Sequence, residues 1–196
     1  MTTPDDTGTL SVCVYCSSSR NVSDGLRALA EEVGSGLAAR GWAMVYGGGA
    51  LGLMGITARA ALASGAHVTG VIPERLIDRE IALHDVSELI RTATMRERKQ
   101  LMDDGSDAFL ILPGGIGTLE ELIEMVSLRQ LGYHDRPIVV LDADGFWEPL
   151  RQQLAHMDAH SMLHQPMDRL WTYTRTVDAA LDALAADRRP REGAQR

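Results

Sequence analysis

Lysine is almost missing from this chain. Of its 19 basic residues among 196, 18 are Arg and only Lys99 is Lys. Genome composition can bias a chain towards Arg, but the imbalance still singles out that one position. Positive charge is itself in the minority: 27 acidic residues give a net charge of −8 and a pI near 5.2. A nucleic-acid or anionic-membrane binder carries a basic footprint, so neither partner is expected. No apolar run approaches the ~20 residues of a membrane span. The opening MTTPDDTGTL has neither the positive nor the apolar segment of a signal peptide, so a cytoplasmic location is expected. Cysteine is scarce too, with only Cys13 and Cys16. A lone CxxC can be a redox pair or half a zinc site, but Val12 and Val14 make this stretch a buried strand. No second CxxC follows, so no metal and no redox role is expected.

What is present is ordinary globular composition, 45% hydrophobic and 23% charged, in a length that suits one domain with a sizeable core. Apolar strand candidates at 11–16, 42–46, 67–72, 107–112 and 137–142 alternate with helical patterns near 24–40, 52–64, 94–104, 118–131 and 146–160. A last strand is expected at 169–173 and a last helix near 176–186. Strands that are apolar throughout, rather than alternating, belong to a parallel sheet covered on both faces. The expected fold is therefore α/β: a single doubly wound, Rossmann-like parallel sheet with helices on both faces. It would span 11–186, between a flexible start at 1–10 and a disordered tail at 187–196. Ligands of such sheets bind at the carboxyl ends of the strands.

Two of those ends are glycine-rich. Gly47, Gly49 and Gly52 spell GxGxxG after the second strand, a pattern that can seat a pyrophosphate. The ribose-binding acid that should follow about twenty residues later is missing, since that stretch reads His67-Val68-Thr69-Gly70-Val71. The loop reads as a floor beside a phosphate or sugar, with Gly47 and Gly48 as its candidates, and not as a nicotinamide site. Pro113-Gly114-Gly115-Ile116-Gly117-Thr118 follows the fourth of these strands. Free N–H groups and a helix dipole make it an anion site, and the Lys of a Walker A loop is absent. Thr118 and Glu121 also fit a T-x-x-E capping box. Glu120, Glu121 and Glu124 beside an anion pocket would repel a phosphate unless a cation intervenes.

The cation is expected on the preceding helix. Met95 and Met102 lie seven apart on one face, and Arg98 and Lys99 fall between them at core-facing positions. Two inward cations require an anionic partner, either Glu121 or a substrate phosphate.

Assembled, these residues resemble the LONELY GUY (LOG) family of cytokinin-activating phosphoribohydrolases. The PGGxGTxxE motif is complete in Pro113, Gly114, Gly115, Gly117, Thr118 and Glu121, preceded by Met95-x-x-Arg98-Lys99. Cys16-Ser17-Ser18-Ser19 and Gly47-Gly48-Gly49…Gly52-Leu53-Met54-Gly55 are similar to the family as well. The resemblance implies hydrolysis of the N-glycosidic bond of N6-modified adenosine 5′-monophosphates, without a cofactor, by a homodimer with its site near the subunit interface. It implies Arg98 and Glu121 as the catalytic pair. Substrate contacts would come from Glu80, Arg98, Lys99, Gly115, Ile116, Gly117, Thr118, Leu119, Glu120, Glu121 and Ser127, with Ser17 added to the phosphate or ribose floor. Ile116 stands where the family often has an aromatic, Ser127 where Thr is usual, and Ser17 where Gly is common. Nothing around Lys99 suggests the pyridoxal phosphate site that the family's frequent lysine decarboxylase label would need. The competing reading is a non-catalytic nucleotide or molybdenum-cofactor carrier of similar fold. His156, His160 and His164, spaced four apart, read as a half-exposed helix face, and Trp42, Trp147 and Trp171 as core packing.

Overall fold

The computed structural model describes residues 9–77 and 81–187. The expected flexible start and disordered tail fall outside these residues except at positions 9, 10 and 187, and Glu80 falls outside as well. Seven strands form one sheet in the order β4-β3-β2-β1-β5-β6-β7, with every pairing parallel. They are β1 (Ser11–Tyr15), β2 (Ala43–Tyr46), β3 (Val68–Pro73), β4 (Glu88–Thr92), β5 (Ala108–Ile111), β6 (Ile138–Leu141) and β7 (Thr172–Thr174). Among the described residues the α-helices are α1 (Asp24–Ala39), α2 (Gly52–Ala63), α3 (Met95–Asp104), α4 (Ile116–Gln130), α5 (Glu148–Ala159), α6 (Met167–Leu170) and α7 (Val177–Ala186).

The central strands divide their side chains between two cores. Val12, Val14 and Cys16 join α1, α2 and α7 on one face, while Cys13 and Tyr15 join α3, α4 and α5 on the other. Alternation along a strand sends successive residues to opposite faces, and since both faces are covered, both sets are apolar. Helices on both sides of one parallel sheet are the doubly wound architecture expected. β1 is its switch point: the chain moves outward through β2, β3 and β4, then returns to lay β5 on the other side of β1. The loops after β1 and β5 diverge there and leave a crevice.

Three local expectations need correction. β4 has no counterpart among the expected strands. Its sequence, Glu-Leu-Ile-Arg-Thr, is half polar because it is an edge strand whose Glu88 and Arg91 are exposed. The 169–173 strand is instead the short helix α6 followed by β7, with the chain turning extended at the buried Trp171. Finally, the capping box does not form. α4 begins at Ile116, two residues before the expected start, with Gly115 as an N-cap that has no side chain to offer. Thr118 and Glu121 therefore lie inside the helix and are buried.

Among the described residues no helix is long and apolar enough to cross a membrane. α5 stops at Ala159, so His164 is not on its face with His156 and His160, and all three are exposed. No group of three His, Cys, Asp or Glu among the described residues could hold a metal ion. Trp147 and Trp171 are core residues, and Trp42 is half-buried against the core of α1 and α2.

Candidate active site

The crevice between the ends of β1 and β5 encloses about 370 Å³, within the range that small-molecule sites occupy. Cys16 to Ser19 form one wall and Gly115 to Thr118 another, while Met54, Leu76 and Met95 close the remainder. The two loops are tied together, as Ser17 N–H donates to the Pro113 carbonyl at 3.2 Å. Met54 N–H donates to the Ser17 carbonyl at 3.2 Å, which fixes α2 against the same wall.

Among the described residues, two charged side chains are buried at this crevice. Arg98 is 3% exposed and Glu121 is 6% exposed, on the facing helices α3 and α4. Arg98 is where the spacing from Met95 placed it: Met102 is buried in the core, and Met95 sits at the crevice mouth. Its Nη2 donates to the Gly47 carbonyl at 3.0 Å, and its Nη1 lies 3.8 Å from Met95 Sδ. Glu121 lies close enough to the end of β1 that its charge, after burial itself, helps hold the Cys16 thiol well above its ordinary range. Burial likewise pushes the Cys13 thiol up to about 12. Neither cysteine is a nucleophile under such conditions.

The glycines of the second loop separate into two kinds. A side chain at Gly114 would meet Thr118 Oγ1 at 2.1 Å, so that glycine exists for internal packing. Around Gly115 and Gly117 there is nothing within 4 Å of where a Cβ would be. Their bareness serves the crevice and not the protein's own interior. The first turn of α4 holds no acid, and its leading N–H groups, with no side-chain cap, face a site lined by those two glycines.

Lys99 does not point into the crevice as expected. Its Nζ donates to Glu120 at 2.5 Å and to Glu124 at 3.0 Å. Partial burial would lower the Lys99 pKa, but those two hydrogen bonds outweigh it and raise the pKa above its ordinary value. This placement removes the tension in the sequence: two of the three acids near the anion loop are neutralised by the only lysine. A second hollow of about 460 Å³ lies on that side, between α3 and α4, with Lys99, Asp103 and Glu124 in its lining. It is larger, but no glycine lines it.

The structure thus brings Ser17, Arg98, Gly115, Ile116, Gly117, Thr118, Glu120 and Glu121 to one crevice. Leu119 packs against the core and Ser127 is exposed on α4, outside the crevice. Gly47 and Gly48 do not line it either. Gly47 lies behind Arg98, and Gly48, with φ of 73°, packs on β3 against Ile72 and Val71. Leu76, from the short turn after β3, joins the site with no chemical signal in the sequence to announce it.

Residues 54–184 match the sequence family described as "Possible lysine decarboxylase". The chain is 47% identical over 183 residues to the cytokinin riboside 5′-monophosphate phosphoribohydrolase of Mycobacterium tuberculosis, spanning 93% of this chain and 95% of that one. The Mycobacterium marinum protein of the same name is 44% identical over 182 residues, spanning 92% and 96%. A rice phosphoribohydrolase of that name is 45% identical over 138 residues, 70% of this chain and 57% of its own. Among solved structures, a molybdenum cofactor carrier protein from Chlamydomonas reinhardtii superposes with a TM-score of 0.69 over 91% of this chain and 98% of its own. At 20% identity that likeness concerns the fold alone.

Proposed function

The chain belongs to the family of the cytokinin riboside 5′-monophosphate phosphoribohydrolases, the LONELY GUY family, and from that footing we propose how its crevice carries out the reaction. The enzyme hydrolyses the N-glycosidic bond of N6-modified adenosine 5′-monophosphates, giving the free base and ribose 5-phosphate. The observation that carries the site assignment is the buried pair Arg98 and Glu121 beside two glycines whose bareness no internal packing requires.

The 5′-phosphate sits on the Gly115–Gly117 backbone, at the positive end of α4. Glycosidic cleavage develops an oxocarbenium-like cation at the anomeric carbon. Glu121 stabilises that charge or takes a proton from the attacking water, and Arg98 orients the acid and holds the ribose phosphate. Fixing the phosphate at one end positions the reacting bond at the other. Ser17 and Thr118 supply hydroxyls to the ribose side, and Ile116, with 82% of its surface exposed, faces the base.

The second copy of a homodimer accounts for what one chain leaves unused. α4 turns Ile116, Ser127 and Leu131 outward, and Tyr133 follows them with 77% of its surface exposed. Burying that stripe against a partner would cover the apolar surface and bring Ser127 towards a site. Glu80 completes the substrate contacts by family likeness. The location is cytoplasmic.

Decarboxylation of lysine is not supported. An amine held protonated by two carboxylates is a poor Schiff-base nucleophile, and Lys99 is such an amine. The carrier alternative rests on fold, and a carrier has no use for a buried carboxylate at its anion loop. The test is incubation with AMP and with isopentenyladenosine 5′-monophosphate, following free base and ribose 5-phosphate without added metal or nicotinamide. Base release with stoichiometric ribose 5-phosphate is expected, and tight binding without release would leave the carrier.

A further inference from the structure

We propose that Gly47 is a positioning residue for Arg98, and that its missing side chain serves to seat that guanidinium rather than a ligand. The inference rests on the reading of Arg98 as a catalytic group. A Cβ on Gly47 would lie 1.8 Å from Arg98 Nη2 and 2.9 Å from its Cζ. Among the other glycines whose surroundings are described, none has a clash this close with a charged side chain at the crevice. Gly47 does not have a left-handed φ, so its backbone would tolerate an ordinary residue, and the missing side chain has no conformational cause. The reason is the guanidinium. It packs against the bare Cα and donates to the carbonyl of the same residue at 3.0 Å.

This arrangement answers a problem of the site. A buried arginine that has to orient Glu121 and hold a phosphate must be immobilised. A backbone carbonyl anchors one Nη at a fixed point beside the guanidinium's other interactions. The approach that makes this bond possible is available only to glycine. Met54 Cε would also meet the new Cβ, at 2.8 Å, but it is the free end of a flexible side chain and can swing aside. The planar guanidinium, wedged between the turn and Met95, must move as a unit by roughly 1.5 Å to regain van der Waals distance. Displacements of about 1 Å in a positioned group can cost about 100-fold in rate.

The experiment is a two-by-two cycle of Gly47→Ala and Arg98→Ala, read by base release from isopentenyladenosine 5′-monophosphate and by melting temperature. Gly47→Ala is expected to lower kcat/KM about 100-fold or more, with kcat falling and KM rising, because the displaced guanidinium both orients Glu121 and holds the ribose phosphate. It is also expected to lower the melting temperature by about 4 °C or more in the parent, and by less than about 1 °C when Arg98 is already truncated. Should Gly47→Ala fail to fold alone while the double variant folds, the clash with Arg98 is established directly. Near-parental turnover in Gly47→Ala, together with a dead Arg98→Ala, would overturn the inference and leave the functional reading intact. Equal melting losses in both backgrounds, or unfolding in both, would also overturn it. Near-parental turnover in Arg98→Ala would instead remove the catalytic role of Arg98 on which the inference stands.

Discussion

Replacing Glu121 by glutamine removes one negative charge and almost no volume, at a residue with 6% of its surface exposed. The glutamine fits the same space on α4, so packing is retained, while the cost of burying a charge and the interactions that charge makes are lost together. In a domain of this size each 1 kcal/mol moves the melting temperature by about 2–4 °C, so a shift within about 5 °C is expected, in either direction. Rate responds very differently. A positioned acid or base contributes about 10²- to 10⁴-fold, which is about 2.7–5.5 kcal/mol of the barrier at ~1.4 kcal/mol per tenfold. The loss should fall on kcat, while KM for AMP stays near the parental value because the phosphate is held by the Gly115–Gly117 backbone. Glu121→Asp separates charge from placement. It keeps the charge but withdraws it by about one carbon–carbon bond, so its rate should fall between parent and glutamine variant. The assay is initial-rate base release across a range of AMP and isopentenyladenosine 5′-monophosphate concentrations, with calorimetry on the same preparations. If Glu121→Gln keeps kcat within tenfold of the parent while folding normally, the carboxylate is not the reacting group and the reasoning fails.

The lysine can be tested by charge removal. Lys99→Met leaves Glu120 and Glu124 uncompensated near the anion loop, so KM for AMP should rise about 3- to 10-fold, and added salt should reduce the difference. A KM that neither rises nor responds to ionic strength would show that the acids are too far away to be felt. The two kinds of glycine predict opposite behaviour. Gly117→Ala should leave the melting temperature unchanged and weaken AMP binding at least about tenfold, whereas Gly114→Ala, driven against Thr118, should destabilise by about 1–3 kcal/mol. Calorimetry and AMP titration on both variants check this. His134 gives a pH dependence. Its Nε2 lies 3.0 Å from the Met125 carbonyl and donates to it, and burial, helped by Arg136, lowers its pKa below the ordinary 6.5. The unfolded chain therefore binds the proton first, so the stability His134 contributes is complete above about 6.5 and declines as pH falls through its lower folded value. Denaturant titrations between pH 7 and 5 should show this loss, and His134→Gln should flatten it.

Much of this was legible from the chain because apolar strands and short glycine loops have few alternatives. Arg98 stood out since a charge between Met95 and Met102 on a core-facing helix stripe demands a partner. The side-chain orientations were harder to read. Lys99 is the next residue in the chain, and on a helix one step turns a side chain by about 100°, which is enough to take it from the crevice to the acids on α4. The T-x-x-E pattern misled because capping depends on the backbone bending at Thr118, and the bend comes three residues earlier, at a glycine. β4 was unreadable for a different reason: an edge strand half open to water has the polarity of a loop. Gly47 carried a ligand-binding signature whose spacing is met equally well by a protein cation.

The division of β1 between two cores has a practical consequence. Cys13 faces the α3–α4–α5 side and Cys16 the α1–α2–α7 side, both with 2% or less of their surface exposed. The sheet itself stands between them, so no oxidant can join them while β1 is in place, and neither is open to an alkylating reagent. The modification rate of Cys13 is therefore a clock for the opening of the central strand, built into the chain without a label. A ligand that seals the crevice between β1 and β5 should slow that clock in proportion to how tightly it holds the two loops together.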